Sequence, residues 1–209
     1  MKAQSPSVEL IFEKSFLLPG TSIRAIEVDE TSNVWFAGSN GKFGKIAGGE
    51  LTIDSLSYRE KTPSFRSLAL RKNEAYALSI ENPALLFKLP EPGSGETPEL
   101  VYKEEHEDVF YDSMTFLNSK VGIAMGDPIQ GCLSILISRD GGRSWKKKSC
   151  LELPATVEGE AGFAGSDTNI ASWGDLIWIG TGGKKARVFA STDKGESWTA
   201  IDTPIIQGG

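Results

Sequence analysis

The chain has 209 residues, 39% of them hydrophobic and 24% charged, and a net charge of −6. An acidic balance argues against a nucleic-acid partner, which needs a basic face. No run approaches the roughly 20 apolar residues of a membrane helix, so membrane insertion is not expected either.

In chain order, the first residues, Met1-Lys2-Ala3-Gln4-Ser5-Pro6, have no apolar core of a signal peptide. They also suit a mature terminus after cleavage, with a Met added. Residues 8–17 alternate as a strand. Residues 22–28 and 34–38 follow as a pair of strands, as do residues 64–70 and 75–78, and then residues 111–116 and 121–126. Aligning these pairs on Arg24, Arg66 and Asp112 brings their apolar positions into register. Two residues on stand Ile26, Leu68 and Met114, and four residues on stand Val28, Leu70 and Phe116. The steps are 42 and 46 residues, a period that marks blades of a repeat architecture. Twenty-three glycines and ten prolines punctuate the chain, and no long stripe of helical period interrupts the strands.

The second half carries the plainest repeat. Ser138-Arg139-Asp140-Gly141-Gly142-Arg143-Ser144-Trp145 and Ser191-Thr192-Asp193-Lys194-Gly195-Glu196-Ser197-Trp198 both read S-x-D-x-G-x-S-W, 53 residues apart. Alternating segments flank each copy, so each is a turn between two strands. The Asp carboxylate can accept N–H groups of its own loop. The Gly allows a positive φ. The Trp is an apolar plug whose indole N–H needs a partner. In the first two blades, Gly48-Gly49-Glu50 and Glu91-Pro92-Gly93-Ser94-Gly95 occupy the corresponding turns.

This pattern resembles the Asp-box, or BNR repeat, of sialidases, sortilin-type propellers and photosystem II stability/assembly factor-like proteins. Gly38-Ser39-Asn40-Gly41, Met125-Gly126-Asp127-Pro128-Ile129 and Glu158-Gly159-Glu160-Ala161 also look like the last group. The resemblance implies an all-β propeller of four-stranded antiparallel blades, with the box joining the third and fourth strands. The expected single domain, residues 1–209, holds blades at 22–55, 64–104, 109–151 and 160–203. Residues 8–17 would then be a strand that closes the last blade of a longer propeller, of which this chain is the N-terminal part.

That geometry makes Ser138, Asp140, Gly142, Trp145, Ser191, Asp193, Gly195 and Trp198 structural. Arg24, Arg66 and Asp112 start successive inner strands and would ring the mouth of the central channel, with Glu160 near the same place in blade four. They can clamp an anionic ligand, because Arg offers a planar fork to a carboxylate, or form ion pairs between blades. Sialidases clamp a carboxylate with three arginines, the first in an F/Y-R-I-P motif. Ile23-Arg24-Ala25-Ile26 and Phe65-Arg66-Ser67-Leu68 lack its proline. The expected role is a non-catalytic binding or assembly scaffold for a protein or carbohydrate, without metal or cofactor; the alternative is a sialidase-like glycoside hydrolase.

The remaining features are read more plainly. His106 lies in a polar run and is expected in a solvated loop. Residues 179–184 are glycine-rich but lead into a strand, whereas a dinucleotide fingerprint leads into a helix. Gly126-Asp127-Pro128 is expected as a turn. Cys132 and Cys150 are symmetric about Gly141, so a hairpin centred there sets them opposite one another. A disulfide between them would point to an oxidising compartment, periplasmic or extracellular; two thiols in the cytoplasm are the other reading.

Overall fold

The computed structural model describes residues 14–162, 165 and 167–206. Its strands are β1 (Ile23–Val28), β2 (Val34–Gly38), β3 (Lys42–Ala47), β4 (Glu50–Ser55), β5 (Phe65–Arg71), β6 (Glu74–Ser79), β7 (Ala84–Leu89), β8 (Glu99–Glu104) and β9 (Tyr111–Phe116). They continue with β10 (Gly122–Ile129), β11 (Cys132–Ser138), β12 (Lys146–Lys147), β13 (Glu160–Ala161), β14 (Ile170–Trp173), β15 (Leu176–Gly180), β16 (Gly182–Gly183), β17 (Arg187–Ser191) and β18 (Thr199–Asp202). Four four-stranded antiparallel sheets result, ordered β1-β2-β3-β4, β5-β6-β7-β8, β9-β10-β11-β12 and β14-β15-β17-β18.

The second and third sheets bury both faces, because side chains alternate along a strand and each of these sheets lies between two neighbours. Ala25, Trp35, Ala37 and Phe43 of the first sheet share a buried cluster with Leu68, Ala75 and Ala77 of the second. Ala69, Tyr76, Leu78 and Leu86 of the second meet Met114, Ala124, Leu136 and Trp145 of the third. Ile123, Met125, Ile135 and Ile137 of the third meet Ile170, Ile177, Ile179 and Phe189 of the fourth. Fully burying one large apolar side chain of this kind stabilises by about 1.5–3 kcal/mol.

Several sequence expectations need correction. Residues 8–13 of the expected leading strand lie outside the described residues, and 14–17 are not strand; Lys14 Nζ instead donates to the Gly49 carbonyl at 2.6 Å. The fourth inner strand begins at Ile170, not near 160, and β13 pairs with β16 in a separate two-stranded ribbon. The glycine-rich segment supplies β16. Gly126-Asp127-Pro128 is no turn: it lies inside β10, where the register with β11 slips between Gly126 and Pro128. The slip lets a proline, which has no N–H, sit within a strand. His106 lies outside the strands, its Nδ1 accepting from the Asp108 N–H.

The cysteines meet by a route other than the one expected. Lys147 pairs with Leu136 and Lys146 with Ile137, a register that would set residue 151, not 150, opposite Cys132. After Lys147 the chain leaves the sheet and forms a 3-10 turn, Cys150–Glu152, capped by Ser149 and Glu152. From that turn Cys150 makes a disulfide with Cys132, at a Cα separation of 5.5 Å.

Candidate functional site

The two S-x-D-x-G-x-S-W turns have matching hydrogen bonds. Asp140 Oδ1 accepts from the Ser144 N–H and Ser138 Oγ, and its Oδ2 from Ser144 Oγ. Asp193 does the same with Ser197 and Ser191. Ser138 Oγ and Ser191 Oγ accept the N–H of Gly142 and Gly195. The indoles of Trp145 and Trp198 donate to the carbonyls of those same glycines, each at 3.1 Å. These hydrogen bonds hold both aspartates below their ordinary pKa, that of Asp193 at about 2, against a burial effect that raises it. The turns join β11 to β12 and β17 to β18. Gly122 pairs with both Phe116 and Ser138, so the first turn sits at the far end of β9 from Asp112.

At that other end, Arg24, Arg66 and Asp112 are structurally equivalent. Each is the residue skipped where the register of its inner strand slips: between Ile23 and Ala25, between Phe65 and Ser67, and opposite the Met125–Gly126 step. Such a bulge re-aims one side chain out of the alternating pattern. Arg24 is exposed. Arg66 is half-buried, its guanidinium 6.0 Å from the Phe110 ring centroid, and its Nε and Nη1 are buried. Asp112 is 0% exposed. Among the described residues, neither those two Arg66 nitrogens nor either Asp112 oxygen has a hydrogen-bond partner, and no ion pair joins the two side chains.

Glu160 is not the fourth member of this set. The offset that places Arg66 two residues before Leu68 and Asp112 two before Met114 falls, counted back from Ile170, on Thr168. Glu160 is buried in the β13–β16 ribbon, where its oxygens accept from Arg187 Nε and Nη2 at 3.0 and 2.5 Å, from Thr181 Oγ1 at 2.6 Å and from the Val157 N–H at 3.0 Å. Burial raises its pKa, but Arg187, Thr181 and Val157 more than reverse that, and the carboxylate stays charged.

Two further acidic residues complete the site: Asp127, which was expected in a turn, and Asp167, not named from the sequence. Asp127 Oδ1 accepts the Gly162 N–H at 2.9 Å. A Cβ on Gly162 would come within 2.5 Å of Asp112 Oδ2, so any larger residue there would have to displace the Asp112 carboxylate. Asp167 Oδ2 accepts the Leu68 N–H at 2.9 Å, and its carbonyl accepts from Ser113 Oγ at 3.0 Å. The segment before β14 thus laces the inner strands of the second and third sheets together. Burial, then the Asp127 charge, pushes Asp112 up to about 7. Burial also takes Asp167 to about 7, with Glu27 adding to the rise, against the lowering effect of Ser67 and of the Leu68 and Met114 N–H groups. Ser67 Oγ and Asp167 Oδ1 nevertheless complete no hydrogen bond of good geometry with each other. Asp127 is raised by burial, which outweighs the Gly162 N–H.

The chemistry on offer is recognition. Arg66 holds two buried donors, Nε and Nη1, on different edges of its guanidinium, and Asp112 holds two buried acceptors, one of which becomes a donor on protonation. Among the described residues no group of three His, Cys, Asp or Glu side chains could hold a metal ion.

No family model matches the chain, and no curated protein is similar to it in sequence. Solved structures are similar in shape. The WD40 repeats of RRP9 align over 87% of this chain and 51% of their own, at 12% identity and a TM-score of 0.55. A structure described as YCF48 bound to D1 peptide aligns over 91% of this chain and 86% of its own, at 11% identity and a TM-score of 0.51. A Trypanosoma rangeli sialidase aligns over 86% of this chain and 38% of its own, at 14% identity and a TM-score of 0.50. The fold is that of a β-propeller. The four sheets are its blades, β1, β5, β9 and β14 are their inner strands, and the bulge residues lie at one end of the propeller's axis. At these identities the likeness concerns the fold alone.

Proposed function

We propose that this propeller is a non-catalytic binding or assembly scaffold of the Asp-box type, and that its ligand is held at the inner-strand bulges by Arg66 and Asp112. The observation that carries the reading is the pair of buried polar groups left without partners. A buried donor or acceptor without a partner costs about 1–3 kcal/mol, and more when charged. Native proteins seldom carry one without a functional reason. A ligand with a carboxylate to accept from Arg66 and a donor for Asp112 would give each side chain a partner.

The hydrogen bonds that the two S-x-D-x-G-x-S-W turns share support the Asp-box assignment, and they support a structural role for Asp140 and Asp193. That a propeller of similar fold, YCF48, has been solved with a D1 peptide makes peptides the first ligand class to try, ahead of carbohydrate. The disulfide supports placing the protein in the periplasm or outside the cell, where such bonds persist.

The test is calorimetric titration with a set of peptides ending in a free α-carboxylate and with their C-terminal amides. Wild type should bind members of the first set, and Arg66→Ala should lose that binding without a lower melting temperature. Equal binding by the amides, or by Arg66→Ala, would remove Arg66 from the site. Turnover of a fluorogenic sialoside or another aryl glycoside would overturn the non-catalytic reading in favour of a sialidase-like glycoside hydrolase.

A further inference from the structure

The loops at the Arg66 end of the second and third blades gather carboxylates. Residues 105–110 link β8 to β9, with Val109 buried and Glu107 and Asp108 exposed. The Tyr111 N–H donates to the Ile80 carbonyl at 3.3 Å, which sets the turn between β6 and β7, and Glu81 with it, alongside. The Asp127 N–H donates to the Phe110 carbonyl at 2.8 Å. Two open depressions result. One, of about 370 Å³, lies beside Glu81, Glu107, Asp108 and Phe110; the other, of about 620 Å³, lies beside Asp108, Asp127, Pro128 and Glu158. Asp108 lines both, so they form one groove.

Among the described residues, no Lys or Arg lines that groove. Of its carboxylates, Glu160 is paired with Arg187, and Asp108 Oδ2 lies 3.9 Å from His106 Nδ1. Glu81, Glu107, Asp127 and Glu158 make no ion pair among the described residues. The stem of Lys184 passes beside Gly159. Arg59, Glu60, Lys61 and Glu105 line a neighbouring depression of balanced charge. Arg66 adjoins the acidic groove at Phe110. Its guanidinium is 6.0 Å from that ring's centroid, and its buried Nε and Nη1 have no partner.

We propose that the groove takes a basic stretch of polypeptide immediately preceding the carboxylate held by Arg66, so that the ligand of this propeller is the C-terminus of a Lys- or Arg-rich peptide. The carboxylate end of this assignment rests on the function proposed above; the groove adds the choice of side chains. Gathered like charges repel one another and draw in a cationic partner. An acidic glycan or acidic peptide could offer Arg66 a carboxylate, but its other charges would meet Glu81, Glu107 and Asp108. A polyamine would suit the groove and leave Arg66 unpaired. A basic peptide with a free C-terminus suits both.

The experiment is fluorescence polarisation with short, N-terminally labelled peptides that all end in a free carboxylate. One alternates Lys with Ala, and its counterparts carry Gln or Glu in place of each Lys. The Lys peptide should bind about tenfold tighter than the Gln peptide, which two exposed ion pairs together can supply. The Glu peptide should bind more weakly than either. Raising the salt from about 0.05 to about 0.5 M should narrow the difference. Glu107→Gln combined with Asp108→Asn changes only exposed side chains, so the melting temperature should hold. That double variant should bind the Lys peptide no better than the Gln peptide, with affinity for the Gln peptide at the wild-type value. Equal affinity of the wild type for the Lys and Gln peptides overturns the proposal and leaves the Arg66 reading standing. A preference for Lys that survives in the double variant does the same. Binding of the Lys peptide that is unchanged both by amidating its C-terminus and by Arg66→Ala overturns the C-terminal assignment and the function proposed above together. Absence of binding by all three peptides overturns it as well.

Discussion

Arg66 and Asp112 occupy the same bulge in consecutive blades and carry opposite formal charges, yet no ion pair joins them. Asp112 is held in its proton-binding range by burial and then by the charge of Asp127, both of which oppose ionisation.

Stability should therefore rise on mild acidification. Asp112 and Asp167 keep their protons up to about pH 7 in the folded chain, whereas the unfolded chain releases them near pH 4. Between those values the folded state binds more protons, so its stability falls as pH rises through that window. Glu104, Asp140 and Glu160 have lowered pKa values and act in the opposite sense, losing their contribution as pH falls through the acid range. Calorimetry should show a melting temperature higher at pH 5.5 than at pH 8, with a decline below about pH 4. Asp112→Asn, which cannot titrate, should flatten the upper limb. A wild-type profile already flat from pH 5.5 to 8 would refute the buried-acid description.

The glycines of the two matching turns should not tolerate substitution equally. Gly142 and Gly195 both have φ of +86°, so alanine is strained at either. A Cβ on Gly142 would also lie 2.6 Å from the ring of Tyr76, which is fully buried in the adjacent blade. On Gly195 its one close approach would be to the Ile137 Cδ1 methyl, at 2.9 Å, with Trp198 and Ile177 at ordinary contact distance. Gly142→Ala should lower the melting temperature more than Gly195→Ala. Trp145→Ala and Trp198→Ala should each cost roughly 3–5 kcal/mol and leave ligand affinity unchanged. Equal melting shifts for the two glycine variants would show that Tyr76 moves aside.

The disulfide should be chemically visible. Ellman titration of the denatured, unreduced protein from an oxidising host should find no free thiol. Replacing both cysteines with serine opens a loop with a sequence separation of 18, a loss of about 3 kcal/mol in the chain-entropy model. For a chain of this size that is roughly 6–12 °C in melting temperature. Two titratable thiols, or an unchanged Tm, would contradict the link.

The first blade lacks the repeated turn but has a local device of its own. Asp29 accepts from the N–H groups of Thr31 and Asn33 and from the indole of Trp35, and Lys45 lies 3.7 Å away. Burial acts to raise its pKa, and the hydrogen bonds from Thr31, Asn33 and Trp35 overcome it and set it well below the usual carboxylate range. Asp29→Ala should lower the melting temperature, and Glu30→Ala, at the exposed neighbour, should leave it where it was. Identical melting curves for the two variants would assign Asp29 no structural role.

The blade period, the turn chemistry and the equivalence of Arg24, Arg66 and Asp112 were legible in the amino-acid sequence. Each depends on contacts within one hairpin or on strand alternation, so short stretches of chain suffice to specify them. Tertiary structure alone decided what those residues meet. Leu68 and Asp167 are 99 positions apart, and Asp127 meets Gly162 across 35. Glu160 was misplaced because its partner Arg187 is 27 positions away, and because a ribbon outside the four-stranded pattern carries it. The disulfide was anticipated, but from a hairpin register that the chain abandons after Lys147. The ends of a propeller blade are held by neighbouring blades, and no local pattern encodes which backbone N–H or charge a neighbour will present there.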